Sequence, residues 1–282
     1  MDFLILLNGT VKPRHNNSLA FDKNLKPSSR IIEIPLFSTA PSLQEIAIYV
    51  ESLYITEPEE FDQKVECFFE QLQLYRKINF YNPQHDASLS YKCAVLPKQE
   101  KWLEIGGYSE LGKKQVYPCG EIEVSPLPFD NSIHLKNQNT LDLSGEVIIT
   151  GPSIVNAGYF PFIRKSQEFI HQQLNGLSTK KPIKLTVSRG RIVAIDSPDG
   201  KYHETVKFLE SLLSIEERYS IINEIGISFN DKLHFIPGNQ FYNELVDNSA
   251  NGQGTLHLGL GLLTLTQYHF DIFACNTLVQ FE

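Results

Sequence analysis

The sequence predicts an α+β protein, with a small N-terminal α/β layer over residues 1–110 followed by a β-rich domain over residues 111–282. Three observations lead there. Capped amphipathic stretches and β-branched runs alternate in the first part of the chain. From about residue 115 the text turns to short alternating segments punctuated by Gly, Pro and Asn. No repeat of roughly 20–50 residues recurs, which excludes a solenoid or propeller. A chain of 282 residues, 41% hydrophobic and 21% charged, can bury a sizeable core.

The opening "MDFLILLNGT" reads as a first strand, because it carries an acid where a secretory leader needs positive charge and its apolar run is too short. "SRIIEIPLF" is a second strand. "SLQEIAIYVESLY" places Leu43, Ile46, Ala47, Val50, Leu53 and Tyr54 at helical spacing behind a capping box of Ser42 and Glu45. The next stretch, "TEPEEFDQKVECFFEQLQLYRK", repeats that logic. Thr56 is its N-cap, Glu59 stands three residues on, Pro58 lies in the first turn, and Phe61, Val65, Phe68, Phe69 and Leu72 form one stripe. Both stripes imply a buried face.

In the second half, "GEIEVSP" alternates and "GEVIITGPSIV" is a strand and a turn. "PIKLTVSRGRIVAID" is a hairpin that sets Ile183, Leu185 and Val187 against Arg191, Val193 and Ile195 through Arg189-Gly190. "KYHETVKFLESLLS" is a helix with Val206, Leu209, Leu212 and Leu213 inward. "SIINEIGISFN" and "GTLHLGLGLLTLTQYHFD" are strand-like.

Charge and cysteine usage narrow the function. A net charge of −8 and a pI near 5.5 speak against nucleic acid as a partner and suit a cationic ligand terminus. No apolar run reaches the roughly 18 residues that span a bilayer. The four cysteines have no CxxC spacing, so the expectation is a cytoplasmic protein with reduced thiols.

The candidate site comes from residues that packing does not demand. His257, His269 and Asp271 stand among Leu, Gly and Thr, and alternation in a strand puts His269 and Asp271 on one face. Glu121 and Glu224 sit in similar strand-like segments. Two imidazoles and a carboxylate form the donor set of mononuclear non-haem iron, and further carboxylates suit two divalent ions that activate water.

The order "PCGEIEVSP", "GEVIITG", "PIKLTVSRGRIVAI", "NEIGIS", "GTLHLGLG", "HFD" over residues 108–282 resembles the aminopeptidase T family of metallopeptidases and their relative 2,5-dihydroxypyridine dioxygenase. The resemblance implies an aminopeptidase T-like C-terminal domain and a homodimer. It also implies a metal centre at Glu121, Glu224, His257, His269 and Asp271 in the peptidases, or iron at His257, His269 and Asp271 alone in the dioxygenase. Zinc, cobalt, iron or no metal are the alternatives.

Departures from the family pattern accompany these matches. The slot of a catalytic glutamate falls on Asn248 or Ala250, the slot of a tyrosine falls on Thr264, and the interval between the histidines is short. The segment 159–178, "YFPFIRKSQEFIHQQLNGLS", adds an inserted helix carrying Ile163, Phe169, Ile170 and Leu174, either packed on its own domain or serving as a docking surface for a partner protein.

Two functions follow from the sequence. One is a catalytically degenerate metallopeptidase-like protein that binds a peptide through Tyr268, Asn248 and Thr264, in the maturation of a ribosomally made peptide natural product. The other is an active enzyme, either a metal-dependent aminopeptidase or a ring-cleaving iron dioxygenase acting on a small molecule.

Overall fold

The computed structural model describes residues 58–93, 121–126, 140–150, 154–157, 163–174, 181–201, 203–230, 255–261 and 266–282, a few residues near 43–47, Lys232, and the course of four further strands. Those four are β1 (Asp2–Asn8), β2 (Ser29–Pro35), β5 (Glu100–Ile105) and β6 (Lys114–Gln115). Strands β1, β2 and β6 pair in parallel as a small sheet. Of the helix expected from Ser42, only Leu43, Gln44 and Ala47 are described. They are helical and exposed, so Leu43 and Ala47 of the expected apolar stripe do not point inward.

Two six-stranded sheets, antiparallel throughout, make the body of the protein. The first runs β11-β10-β8-β4-β3-β15, from β3 (Lys77–Asn82), β4 (Ala87–Lys92), β8 (Asp142–Ile149), β10 (Ile183–Ser188), β11 (Arg191–Asp196) and β15 (Leu278–Phe281). The second runs β5-β7-β12-β13-β14-β9, with β7 (Glu121–Pro126), β9 (Ile154–Ala157), β12 (Ile222–Ser228), β13 (Thr255–Leu260) and β14 (Tyr268–Cys275). Pairing crosses residue 110, the boundary drawn from sequence: β3 and β4 pair with β15 and β8, and β5 pairs with β7. The β-rich, α+β character read from the sequence is present.

One core fills the space between these sheets. It joins Ile78, Phe80, Leu89, Tyr91, Leu143 and Leu185 of the first to Ile122, Val124, Ile225, Leu258, Phe270 and Ile272 of the second. The alternating texture of the sequence explains it, since every second residue of each strand turns to the shared interior. The chain passes from one sheet to the other between β14 and β15 in two residues, where Asn276 takes a left-handed conformation and Thr277 Oγ1 caps Ala274 O at 2.9 Å.

Three α-helices lie wholly within the described residues. Helix α1 (Pro58–Tyr75) buries Phe61, Val65, Phe68 and Leu72, as its stripe requires, with Phe68 edge-on to Phe229 and Phe281. Helix α2 (Arg164–Leu174), in the inserted segment, buries Gln167, Ile170 and Leu174 against β9, and the Gln167 amide donates to Val155 O. Its Phe169 meets Phe208 of α3 (Glu204–Ile215) edge to face at 6.0 Å. The β10–β11 hairpin turns through Arg189 and Gly190, both at positive φ. A bulge sets Ile192, not Val193, opposite Val187. Val193 is therefore exposed, contrary to the strict alternation read from the sequence. No helix among the described residues is long and apolar enough to cross a membrane.

Gly145 in β8 tests how tightly this frame is built. It has φ +131, and a Cβ there would lie 2.2 Å from Ser88 O. We expect Gly145→Ala to cost at least about 3 kcal/mol in urea unfolding, from strain plus collision with fixed backbone. Gly200→Ala, where a Cβ meets nothing within 4 Å, should cost about 1 kcal/mol.

Candidate metal centre

The face of the second sheet that turns away from the core carries the chemistry. Cross-strand partners share a face, so the register alone assembles the site. Glu123, Gly226, His257 and Phe273 form one row across β7, β12, β13 and β14. Glu224, Gly259, Asp271 and Ile154 form the next. Glu121 stands opposite Ser228, and His269 opposite Asn156.

The two glycines make the crowding tolerable. A Cβ on Gly226 would fall 1.9 Å from Cε1 of His257, so the imidazole occupies the space a side chain would take. A Cβ on Gly259 would lie 2.8 Å from Cβ of Glu224 and 2.9 Å from Cε1 of His269. Each glycine is the hole into which larger neighbours on the adjoining strands lean.

A bulge decides which way Glu224 points. Ile222 pairs with Leu260 and faces the core, but Glu224 pairs with Gly259 and faces the site. Residues i and i+2 of a regular strand share a face, so Asn223 is the extra residue that turns the carboxylate out of the hydrophobic interior.

The side chains are close and mostly buried. His257 Nδ1 lies 3.3 Å from Glu121 Oε2, and its Nε2 lies 3.5 Å from Glu224 Oε1 and 3.7 Å from Glu123 Oε1. His269 Nε2 is 2.9 Å from Asp271 Oδ1 and 3.6 Å from Glu224 Oε1. His269 Nδ1 meets Gly261 O at 2.9 Å, and Asn156 Nδ2 donates to Asp271 Oδ2 at 2.7 Å. Glu121 Oε2 and Asp271 Oδ1 are buried and form no hydrogen bond of acceptable geometry, although imidazole nitrogens stand nearby. Among the described residues no Lys or Arg pairs with Glu121, Glu224 or Asp271.

Burial and mutual contact set the protonation. Burial pushes the Glu121 carboxyl above its ordinary value, more than the His257 contact lowers it. Burial acts on Glu224 in the same direction, but the His257 and His269 imidazoles beside it outweigh it and hold this carboxylate well below its ordinary range. Burial would lower His269, yet Asp271 and Glu224 raise it well above the usual imidazole value.

All five ligand-type residues of the sequence analysis, Glu121, Glu224, His257, His269 and Asp271, thus stand on one face of one sheet. Tyr268 does not join them. Alternation turns it to the opposite face, where its ring packs with Phe270 and Tyr219 lies close by, and its hydroxyl donates to Ile163 O at 3.2 Å. Asn248 and Thr264 lie outside the described residues. Two residues of the site were missed. Glu123 was legible as the i+2 partner of Glu121 in "EIEV", whereas nothing in the sequence marked Asn156.

No protein-family model matches the chain, and no curated protein matches it. A solved structure, 2,5-dihydroxypyridine dioxygenase from Pseudomonas putida KT2440, superposes with a TM-score of 0.55 at 13% identity, covering 98% of this chain and 68% of that one. The likeness is one of fold. The aminopeptidase T resemblance gains no support from these comparisons, and its domain layout rests on the motifs alone.

Gly226 offers a direct test of the packing. We expect Gly226→Ala to fold but to displace the His257 ring. The shift should appear in the histidine resonances of an NMR spectrum, with a stability loss of about 1–3 kcal/mol.

Proposed function

We propose that this protein is a metal-dependent enzyme whose centre is a divalent cation held by His257, His269, Asp271 and Glu224. The observation that carries this reading is the gathering of four carboxylates and two imidazoles on one buried sheet face, where Glu121, Glu224 and Asp271 have no Lys or Arg partner among the described residues. Uncompensated buried charge costs several kcal/mol per ion, and a bound dication offsets it.

The residues fit such an ion. Glu121 Oε2 and Asp271 Oδ1 are orphaned oxygens, and two sets of candidate donors, Glu121/Glu123/His257 and Glu224/His257/Asp271, each lie within 4.8 Å of one another. The contact of His269 Nδ1 with Gly261 O fixes the ring and leaves Nε2 turned toward Asp271 and Glu224. A donor set of nitrogen and oxygen without thiolate suits iron, manganese, cobalt or zinc.

Iron is the first choice. Two imidazoles with a carboxylate form the donor set of non-haem iron(II) oxygenases, and the fold likeness to 2,5-dihydroxypyridine dioxygenase supports the same class. Our leading reading is oxygen-dependent oxidation of a small hydroxylated aromatic ring. Bound iron would supply the one-electron chemistry that dioxygen requires. The chain's own residues hold the cation, fix the imidazole orientations and keep bulk water away. The extra carboxylates Glu121 and Glu123 favour a second reading, hydrolysis with zinc or cobalt. Peptide binding has no comparable support, since Tyr268 faces away from the site.

Elemental analysis of the purified protein should find about one divalent transition metal per chain, and the double variant His257→Ala/Asp271→Ala should retain less than about a tenth of it. Oxygen uptake by the iron-loaded protein with dihydroxylated pyridines and benzenes, absent in the double variant, supports oxidation. Cleavage of aminoacyl amides by the zinc or cobalt form supports hydrolysis instead. A folded protein that takes up none of these metals sinks both.

The protonation states give a pH dependence. The raised His269 favours a proton that a cation must displace, so affinity should rise with pH, by about tenfold per pH unit for each proton released. Competitive titration at several pH values measures it. For the metal-free protein the raised His269 contributes stability that is complete below about pH 6.5 and fades as pH rises through its folded value. The lowered Glu224 contributes stability that is present above about pH 4.5 and lost as pH falls through its folded value. Stability conferred by these two groups therefore peaks in the window between, and added metal should stabilise most on its alkaline side. Thermal unfolding with and without metal across pH 4–9 shows whether it does.

A further inference from the structure

Resting on the metal reading above, we propose that Glu123, not Glu121, is the β7 carboxylate that coordinates the cation, and that Glu121 is a positioning residue that orients the His257 ring. The geometry around His257 divides the two carboxylates. Glu121 faces Nδ1, while Glu123 and Glu224 face Nε2, at 3.7 and 3.5 Å. An imidazole coordinates through one nitrogen and hands the other N–H to a carboxylate or carbonyl, which fixes its tautomer. Only one of the two β7 glutamates stands on the same side of the ring as Glu224.

On the Nε2 side of the ring the distances also suit atoms gathered round one ion. Two donor atoms each about 2.1 Å from a shared ion stand roughly 3.0–3.4 Å apart for octahedral or tetrahedral angles. The contacts of His257 Nε2 with Glu123 and Glu224, and of His269 Nε2 with Glu224 at 3.6 Å, are too long for hydrogen bonds and only slightly longer than that spacing. They describe atoms that surround a point, not atoms that bond one another. The contact of Glu121 with Nδ1 is the shorter of the two β7 contacts at 3.3 Å, within a few tenths of an ångström of hydrogen-bond length.

Burial agrees with this division. The Glu121 side chain is 1% exposed and Oε2 has no other partner among the described residues, as suits a carboxylate that holds a ring. Glu123 is 14% exposed and Glu224 15%, so these two border the more open side of the ring, where a cation and a substrate would enter. The centre would then draw on Glu123, Glu224, His257 Nε2, His269 Nε2 and Asp271.

Cobalt(II) substitution tests the assignment without relying on turnover, because the visible bands of the ion report its ligands. Cobalt titrations of wild type, Glu123→Gln and Glu121→Gln, with folding checked by circular dichroism, should separate the roles. We expect Glu123→Gln to lose affinity at least a hundredfold and to displace the bands. Glu121→Gln should lose about 10–100-fold with band positions kept. Glu123→Cys gives a positive signature. A thiolate at a coordinating position adds an intense near-ultraviolet charge-transfer band absent from wild type, and Glu121→Cys should add none. Wild-type affinity and bands in Glu123→Gln, displaced bands in Glu121→Gln, or a thiolate band from Glu121→Cys overturn the proposal. Failure of the wild-type protein to bind cobalt or any other divalent metal would instead overturn the metal reading on which it rests.

Discussion

Six ionisable side chains can share one face of a sheet only if something else on that face gives way, and here it is Gly226 and Gly259 that give way. Each lies in a row between larger residues on the neighbouring strands, and each leaves a space that an imidazole or a carboxylate fills. An antiparallel sheet holds directly opposed Cβ atoms about 5 Å apart, too close for continuous rows of Glu and His. Alternating them with glycine relieves the crowding without loosening the ladder. The rest of the centre depends on this arrangement: the proximity of His257 to three glutamates, the approach of His269 to Glu224, and the burial that perturbs their protonation.

The opposite face of the same strands explains why the site is rigid. Ile225, Ile227, Leu256, Leu258, Leu260, Phe270 and Ile272 point into the core shared with the first sheet, so the strands that carry the functional groups are anchored by a buried apolar face. Strand β14 is buried along its whole length, with Phe273, Cys275 and Ile154 forming a small apolar cluster beside the polar groups. A rigid strand fixes the positions of its side chains within a fraction of an ångström, which a cation with preferred bond lengths requires.

Electrostatics gives this geometry its direction. Four carboxylates crowd beside two imidazoles, and the raised His269 and Glu121 favour protons that offset part of that charge. The cation proposed above would replace protons with a larger charge at the same place. The fold likeness to a dioxygenase is distant, and the chemistry is argued from this local charge balance and donor set, with the fold as context.

Much of this was legible in the sequence. Helix α1 and its stripe, strands β7, β8, β10, β11, β12, β13 and β14, and the five residues Glu121, Glu224, His257, His269 and Asp271 follow from periodicity, and from the oddity of imidazoles among Leu and Gly, whereas β3, β4, β5 and β15 were not read from it. Period-two patterning is local, so it predicts which residues of one strand share a face. It does not say which strands become neighbours, and three features of the centre were settled by neighbours. The bulge at Asn223 reverses the side on which Glu224 emerges, the register of β7 on β12 brings Glu123 into the row of His257, and the pairing of β9 with β14 delivers Asn156 to Asp271. Tyr268 shows the converse, since adjacency in the chain to His269 placed it on the wrong face. The residue types and their alternation are local information and were fixed by the sequence itself. Register, bulge and strand order arise from long-range burial of apolar surface, so only the folded chain could decide them.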